Sequence, residues 1–181
     1  MTKSFRVVVG IGLITVSGVF LAACNNGVSG DPGPATGAST SANSGGDAAL
    51  NKLDPCTLLT TQELQQYQVR TKGEPMNSSD EQGCDFLGSP DSLSRGINLT
   101  KSKDSVADYV RRKDSYVKFA TNSVNGRDAA QVQISASNTE CSQIIAVGSG
   151  TVSVAVTGDK SGDPCGDALQ IAKVVEPRLP K

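Results

Sequence analysis

Hydrophobic and polar positions fall into three unlike stretches along the chain. From Val7 to Phe20 every residue is apolar or small, with only Gly, Ser and Thr breaking the run. From Asn25 to about Leu50 almost nothing apolar stands in phase with anything else. Beyond residue 51 the pattern becomes periodic. Thr60-Thr61-Gln62-Glu63 reads as a capping box flanked by Leu59 and Leu64 in hydrophobic-staple positions, which predicts a short helix to about Tyr67. Gly73 to Gly83 reads as a polar loop, and Cys84-Asp85-Phe86-Leu87 as a strand. Gly96-Ile97-Asn98-Leu99-Thr100 alternates as a half-buried strand does.

Val106, Tyr109, Val110, Lys113 and Val117 then fall on one helical stripe, with Asp108 and Arg112 spaced to pair on its wet face. Asn125-Gly126 signals a tight turn. Strands follow over 130–135, 142–147 and 151–157, the last with Val152, Val154 and Val156 on one face. Asp163 and Pro164 open a final helix whose stripe is Cys165, Ala168, Leu169, Ala172 and Val175, and Pro177 and Pro180 end it. The order α-β-β-α-β-β-β-α predicts an α+β fold, an antiparallel sheet with helices packed on it.

The first stretch has a further meaning. Lys3 and Arg6 precede the apolar run, and Leu21-Ala22-Ala23-Cys24 follows it. A positive start, a short apolar run and small residues at a cleavage point make a secretory signal over 1–23. The run is shorter than the ~20 residues a spanning helix needs. Leu-Ala-Ala-Cys is similar to a bacterial lipobox, which implies a diacylglyceryl group on the Cys24 thiol and a mature chain starting there. The expected location is the outer face of the cytoplasmic membrane, with the membrane as a partner through the lipid. Acyl chains at about 0.8 kcal/mol per buried CH₂ make such anchoring permanent in effect. Residues 24–50 are then a lipidated Cys and a disordered Gly/Ser/Pro tether, of roughly 28 Å end to end as a flexible coil. Residues 51–181 are expected to form a single domain.

Charge narrows the partners. Cleavage removes Lys3 and Arg6 and no acid, taking 17 basic residues to 15 against 18 acidic ones, a net charge of about −3. That field is weak and of the wrong sign for nucleic acid or anionic lipid. Lys101–Lys103 and Arg111–Lys113 read as solvated faces. Four cysteines remain after Cys24: Cys56, Cys84, Cys141 and Cys165. An even count in an exported chain argues for two disulfides. Three pairings are possible; Cys56–Cys84 and Cys141–Cys165 are favoured, because each joins nearest neighbours in sequence. Zinc is the rival, but there is no His and no Cys-x₂₋₄-Cys, so no metal and no cofactor is expected.

Catalytic chemistry is hard to find. Without His there is no Ser-His or Cys-His pair. Ser-x-x-Lys occurs at Ser115–Lys118, inside the expected helix. Asp159, Asp163 and Asp167 lack the alternating spacing of a calcium loop and read as a cap with surface acids. The expectation is a non-enzymatic module that binds an envelope protein, or a carrier of a small lipid or glycan. A wall enzyme using carboxylates alone is the third reading. Phe86, Ile97, Leu99, Tyr109 and Tyr116 are candidates to line a pocket, and equally to form the core.

Several pieces together carry a resemblance. They are the lipobox, the tether, Asp54-Pro55-Cys56-x-Leu58-Leu59-Thr60-x-x-Glu63-Leu64, Gly83-Cys84-x-Phe86, Gly126-Arg127-x-Ala129-Ala130, Cys141, Asp163-Pro164-Cys165-Gly166-Asp167-Ala168 and Leu179-Pro180. In this order the chain resembles the actinobacterial envelope lipoproteins of the mycobacterial LprB/LprC kind, which share a four-cysteine domain of unknown function. The resemblance implies an envelope location and two disulfides. It brings no established activity and no catalytic residue. Phe86 stands where many members carry Trp, a difference of local packing.

Overall fold

The computed structural model describes residues 44–79 and 81–181; the expected signal, Cys24 and most of the tether lie outside the described residues. The elements are α1 (Ser44–Lys52), α2 (Thr61–Gln66), β1 (Glu74–Asn77), β2 (Glu81–Leu87), β3 (Gly96–Ser102), α3 (Val106–Arg111), β4 (Lys118–Val124), β5 (Arg127–Gln133), β6 (Glu140–Val147), β7 (Gly150–Thr157) and α4 (Pro164–Val175), with three short 3₁₀ turns between them. The seven strands form one sheet in the order β1-β2-β3-β7-β6-β5-β4, antiparallel throughout. No described helix is long and apolar enough to cross a membrane.

Side chains alternate across a strand, so the register sorts them into two faces. Cys84, Leu99, Val154 and Gln143 stand side by side across β2, β3, β7 and β6, and Phe86, Ile97, Val156 and Cys141 form the next row of the same face. Onto that face pack Leu50, Leu58, Leu59 and Leu64 from the N-terminal half, and Ala168, Ile171, Ala172 and Val175 from α4, making the main core. On the reverse face a smaller cluster gathers Tyr109, Ala130, Val132 and Ile144, with Val106, Tyr116 and Phe119 partly buried against it. The two disulfides are Cys56–Cys84 and Cys141–Cys165, the nearest-neighbour pairing. Each stitches a covering segment to the main-core face of the sheet.

The helix starts follow their caps. Thr60 Oγ1 accepts from Glu63 N–H while the Glu63 carboxylate accepts from Thr60 N–H, the reciprocal box predicted for α2. Asp163 caps α4 by accepting from Gly166 N–H, with Pro164 in the first turn. Ser105 and Asp108 make a second capping box at α3 that the sequence reading passed over.

Four expectations need correction. The stretch ascribed to the tether contains α1. Gly/Ala-rich residues form a helix there because the domain holds them: Asp47 accepts from Ser149 N–H at 2.7 Å, Leu50 is buried, and Lys101 Nζ donates to the carbonyls of Asn51 and Leu53 at 2.6 Å each. The polar loop at 73–83 is a hairpin, β1 pairing with β2, and the whole of β1 is exposed. The helix expected as far as Val117 stops at Arg111, passes through a 3₁₀ turn at Lys113–Ser115, and gives way to β4. Asp108 is used by its capping box and by Arg111, and Arg112 pairs instead with Asp104 at 2.7 Å. The turn signalled by Asn125-Gly126, by contrast, is present: β4 and β5 close through Asn125 (φ 50°) and Gly126 (φ 87°), both in the left-handed region that a two-residue hairpin turn requires.

Candidate functional site

The motif residues come first, because they are the strongest signal in the sequence. Their side chains are used internally. Asp54 accepts from Cys56 N–H and starts the turn that carries one disulfide. Arg178 forks onto Glu63 (2.6 and 2.8 Å) and also donates to Leu58 O, tying the C-terminus to α2. The guanidinium holds the Glu63 carboxyl far below the ordinary range, at about 2. Arg127 pairs with the buried Glu176 at 2.9 Å and donates to the carbonyls of Ala146 and Pro180. These residues clamp the helices and the tail over the main-core face of the sheet.

The acids singled out in the sequence converge on one small cavity of about 90 Å³ that Asp159, Asp163, Asp167 and Arg95 help to line. Each has a local partner. Asp159 accepts from Ser161, which holds its carboxyl below the usual value; Asp163 caps α4; Asp167 pairs with Arg95 at 2.9 Å. Among the described residues no group of three acids, cysteines or histidines has metal-binding geometry. One carboxyl moves the other way: Asp85 is raised, by burial first and then by the facing Glu74.

The five pocket candidates divide between the two faces. Phe86, Ile97 and Leu99 are 0–1 % exposed within the main core. Tyr109 and Tyr116 belong to the reverse face, where Tyr109, Tyr116 and Phe119 stack at centroid distances of 6.4 and 5.9 Å and Arg112 sits 5.0 Å over the Tyr109 ring. Burial raises the Tyr109 phenol above its ordinary value. The five therefore line no common pocket: Phe86, Ile97 and Leu99 point from β2 and β3 into the main core, whereas Tyr109 on α3 and Tyr116 just after the 3₁₀ turn pack on the reverse face.

Two surface features are less tightly used. The first is the β4 edge. A sheet edge offers unpaired N–H and C=O groups, and proteins blunt it with short strands, Pro or charge. The β1 edge is blunted in this way: four residues, with Pro75 and Glu74 among them. β4 has seven residues, no Pro, and Lys118 as its sole charge. Beside its first pair, Lys118 with Gln133, stand Val117 and Ile134, 53 % and 62 % exposed, next to the half-buried Tyr116 and Phe119.

The second is a cleft of about 420 Å³ on the main-core side, between the start of β4 and the N-terminus of α4, lined by Lys118, Ala120, Gln131, Gln133, Asn138 and Asp163 and floored by the Cys141–Cys165 disulfide. Its amides form a network. Gln131 Nε2 donates to Cys165 O and Gln143 Oε1, Gln133 Nε2 to Asn138 Oδ1 and Glu140 O, and Gln143 exchanges hydrogen bonds with Asn122. Sequence reading missed both features. No sequence signal marked the cleft: only the register shows that the polar Gln131, Gln133 and Gln143 stand on the buried face.

No curated protein and no solved structure matches this chain. One family profile does, that of the protein of unknown function DUF3558, over residues 19–178. That span takes in the lipobox and all four remaining cysteines with their motifs, leaving out only Leu179-Pro180, and the chain belongs to the DUF3558 family.

Proposed function

We propose that the chain is a bacterial envelope lipoprotein, anchored through Cys24 at the outer face of the cytoplasmic membrane, whose domain is a non-enzymatic module that binds a partner protein along β4. Within the DUF3558 family it is placed with the actinobacterial LprB/LprC-like members, on the lipobox, tether and four-cysteine motifs taken together. The observation that carries the binding reading is the contrast between the two sheet edges. One is short, carries Pro75 and is exposed along its whole length; the other is long and free of Pro, with the exposed Val117 just before it and the exposed Ile134 just after its neighbour β5. An extended segment of a partner would add as an eighth strand, its backbone satisfying the edge and its apolar side chains covering that corner.

The internal use of the conspicuous acids and motif arginines supports a binding role over a catalytic one. The packing of Phe86, Ile97 and Leu99 at 0–1 % exposure supports a surface site over a lipid carried between sheet and helices. A photo-crosslinking residue placed at Val117 or Ile134 of the full-length protein in living cells tests the reading. It expects discrete protein adducts from both positions and none from Met76 on the opposite edge strand. Adducts absent at both Val117 and Ile134, or equal at Met76, would overturn it.

A further inference from the structure

We infer that the cleft between β4 and α4 is a binding site for a neutral carbohydrate. Gln133 is 2 % exposed, and its amide hydrogens are taken by Asn138 Oδ1 and Glu140 O. Among the described residues nothing donates to its Oε1, yet no buried side-chain oxygen or nitrogen there lacks a partner. Its Oε1 therefore meets the outside, and the cleft that Gln133 lines is the opening beside it. Gln131 repeats the arrangement: Nε2 is committed to Cys165 O and Gln143, and Oε1 accepts from no described residue. Asp163 caps α4 through Oδ1, and no described donor reaches Oδ2.

Three acceptors thus border one cleft, two of them on amide side chains held rigid by their own donors. The facing donor is Lys118, which offsets the charge of Asp163. A ligand that fits this set brings several hydroxyl donors, at least one acceptor and no net charge, in a shape that covers a small apolar floor. A sugar ring has that chemistry. The volume of about 420 Å³ holds one or two such rings. The cleft is open and few groups are buried on binding, so affinity in the millimolar range is expected. This inference does not depend on strand addition at β4 and stands if that reading fails.

The test uses the full-length lipoprotein in nanodiscs, with N,N′-diacetylchitobiose, cellobiose and mannobiose as probes in saturation-transfer difference NMR. Transfer to at least one disaccharide is expected. Gln131→Ala should weaken binding about fivefold to tenfold, the loss of one hydrogen bond. Gln133→Ala disturbs a buried network, so Ala120→Phe is the decisive variant: Ala120 is exposed, and a phenyl ring there fills the cleft without removing a core contact. It should abolish transfer while leaving the melting temperature unchanged. No transfer to any of the three disaccharides, or transfer undiminished in Ala120→Phe, would overturn the assignment.

Discussion

Replacing Arg178 by Met would remove the clamp that joins the C-terminus to α2 while keeping much of the side-chain volume. Arg178 makes two short bonds to Glu63 and one to Leu58 O. The Glu63 carboxyl sits at about 2 in the folded protein, against an unfolded value of about 4.3. A carboxyl depressed on folding stabilises the protein above its unfolded value, and that contribution is lost as pH falls through the folded one. The full shift would correspond to about 3 kcal/mol. Side-chain exposures of 35 % and 21 % for Arg178 and Glu63 mean that water screens the pair, so about 1–2 kcal/mol is the expected cost of Arg178→Met at pH 7. For a domain of this size that lowers Tm by about 3–6 °C. Denaturant unfolding of the oxidised protein, run from pH 7 to pH 2, is the assay. The two stability curves should separate above pH 5 and converge towards pH 2, where Glu63 is becoming protonated. Curves that stay parallel over the whole range would refute the assignment of this stability to the Glu63–Arg178 pair.

Further outcomes follow from the same structure. Arg127→Met leaves Glu176 buried without its cation and frees the carbonyls of Ala146 and Pro180, so a loss of about 3–5 kcal/mol is expected in chemical denaturation, larger than for Arg178→Met. Converting Cys141 and Cys165 to Ser opens a link across a sequence separation of 24, which loop entropy puts at about 3.5 kcal/mol; calorimetry on the double variant checks it. Val117→Lys with Ile134→Lys touches only exposed positions, so stability should hold within about 0.5 kcal/mol, while slowed amide exchange of β4 in envelope vesicles is lost.

Local chemistry was legible where it acts through neighbours in sequence. The capping box at Thr60–Glu63, the cap and proline that open α4 and the alternating valines of β7 could be read from spacing, and the nearest-neighbour disulfide pairing was the favoured one of three. Elements held from a distance could not. α1 has no amphipathic stripe of its own and depends on Ser149 and Lys101, each about 50 to 100 residues away in the chain. β4 is an edge strand whose exposed residues need not alternate, so its period-2 signal is missing and Val117 fell in phase with the α3 stripe by chance. The cleft was hidden for a related reason. Gln131 and Gln133 lie in a strand whose facing the sequence did not assign, and only the register puts them on the core side, beside the start of α4, where they line an opening.

Amide hydrogen exchange of β4 in native envelope vesicles, compared with the purified full-length protein, reads out a partner strand on that edge. If β4 receives a partner strand, peptides covering 117–124 will exchange more slowly in vesicles, with β1 unchanged. Equal exchange at β4 in the two preparations would contradict the account.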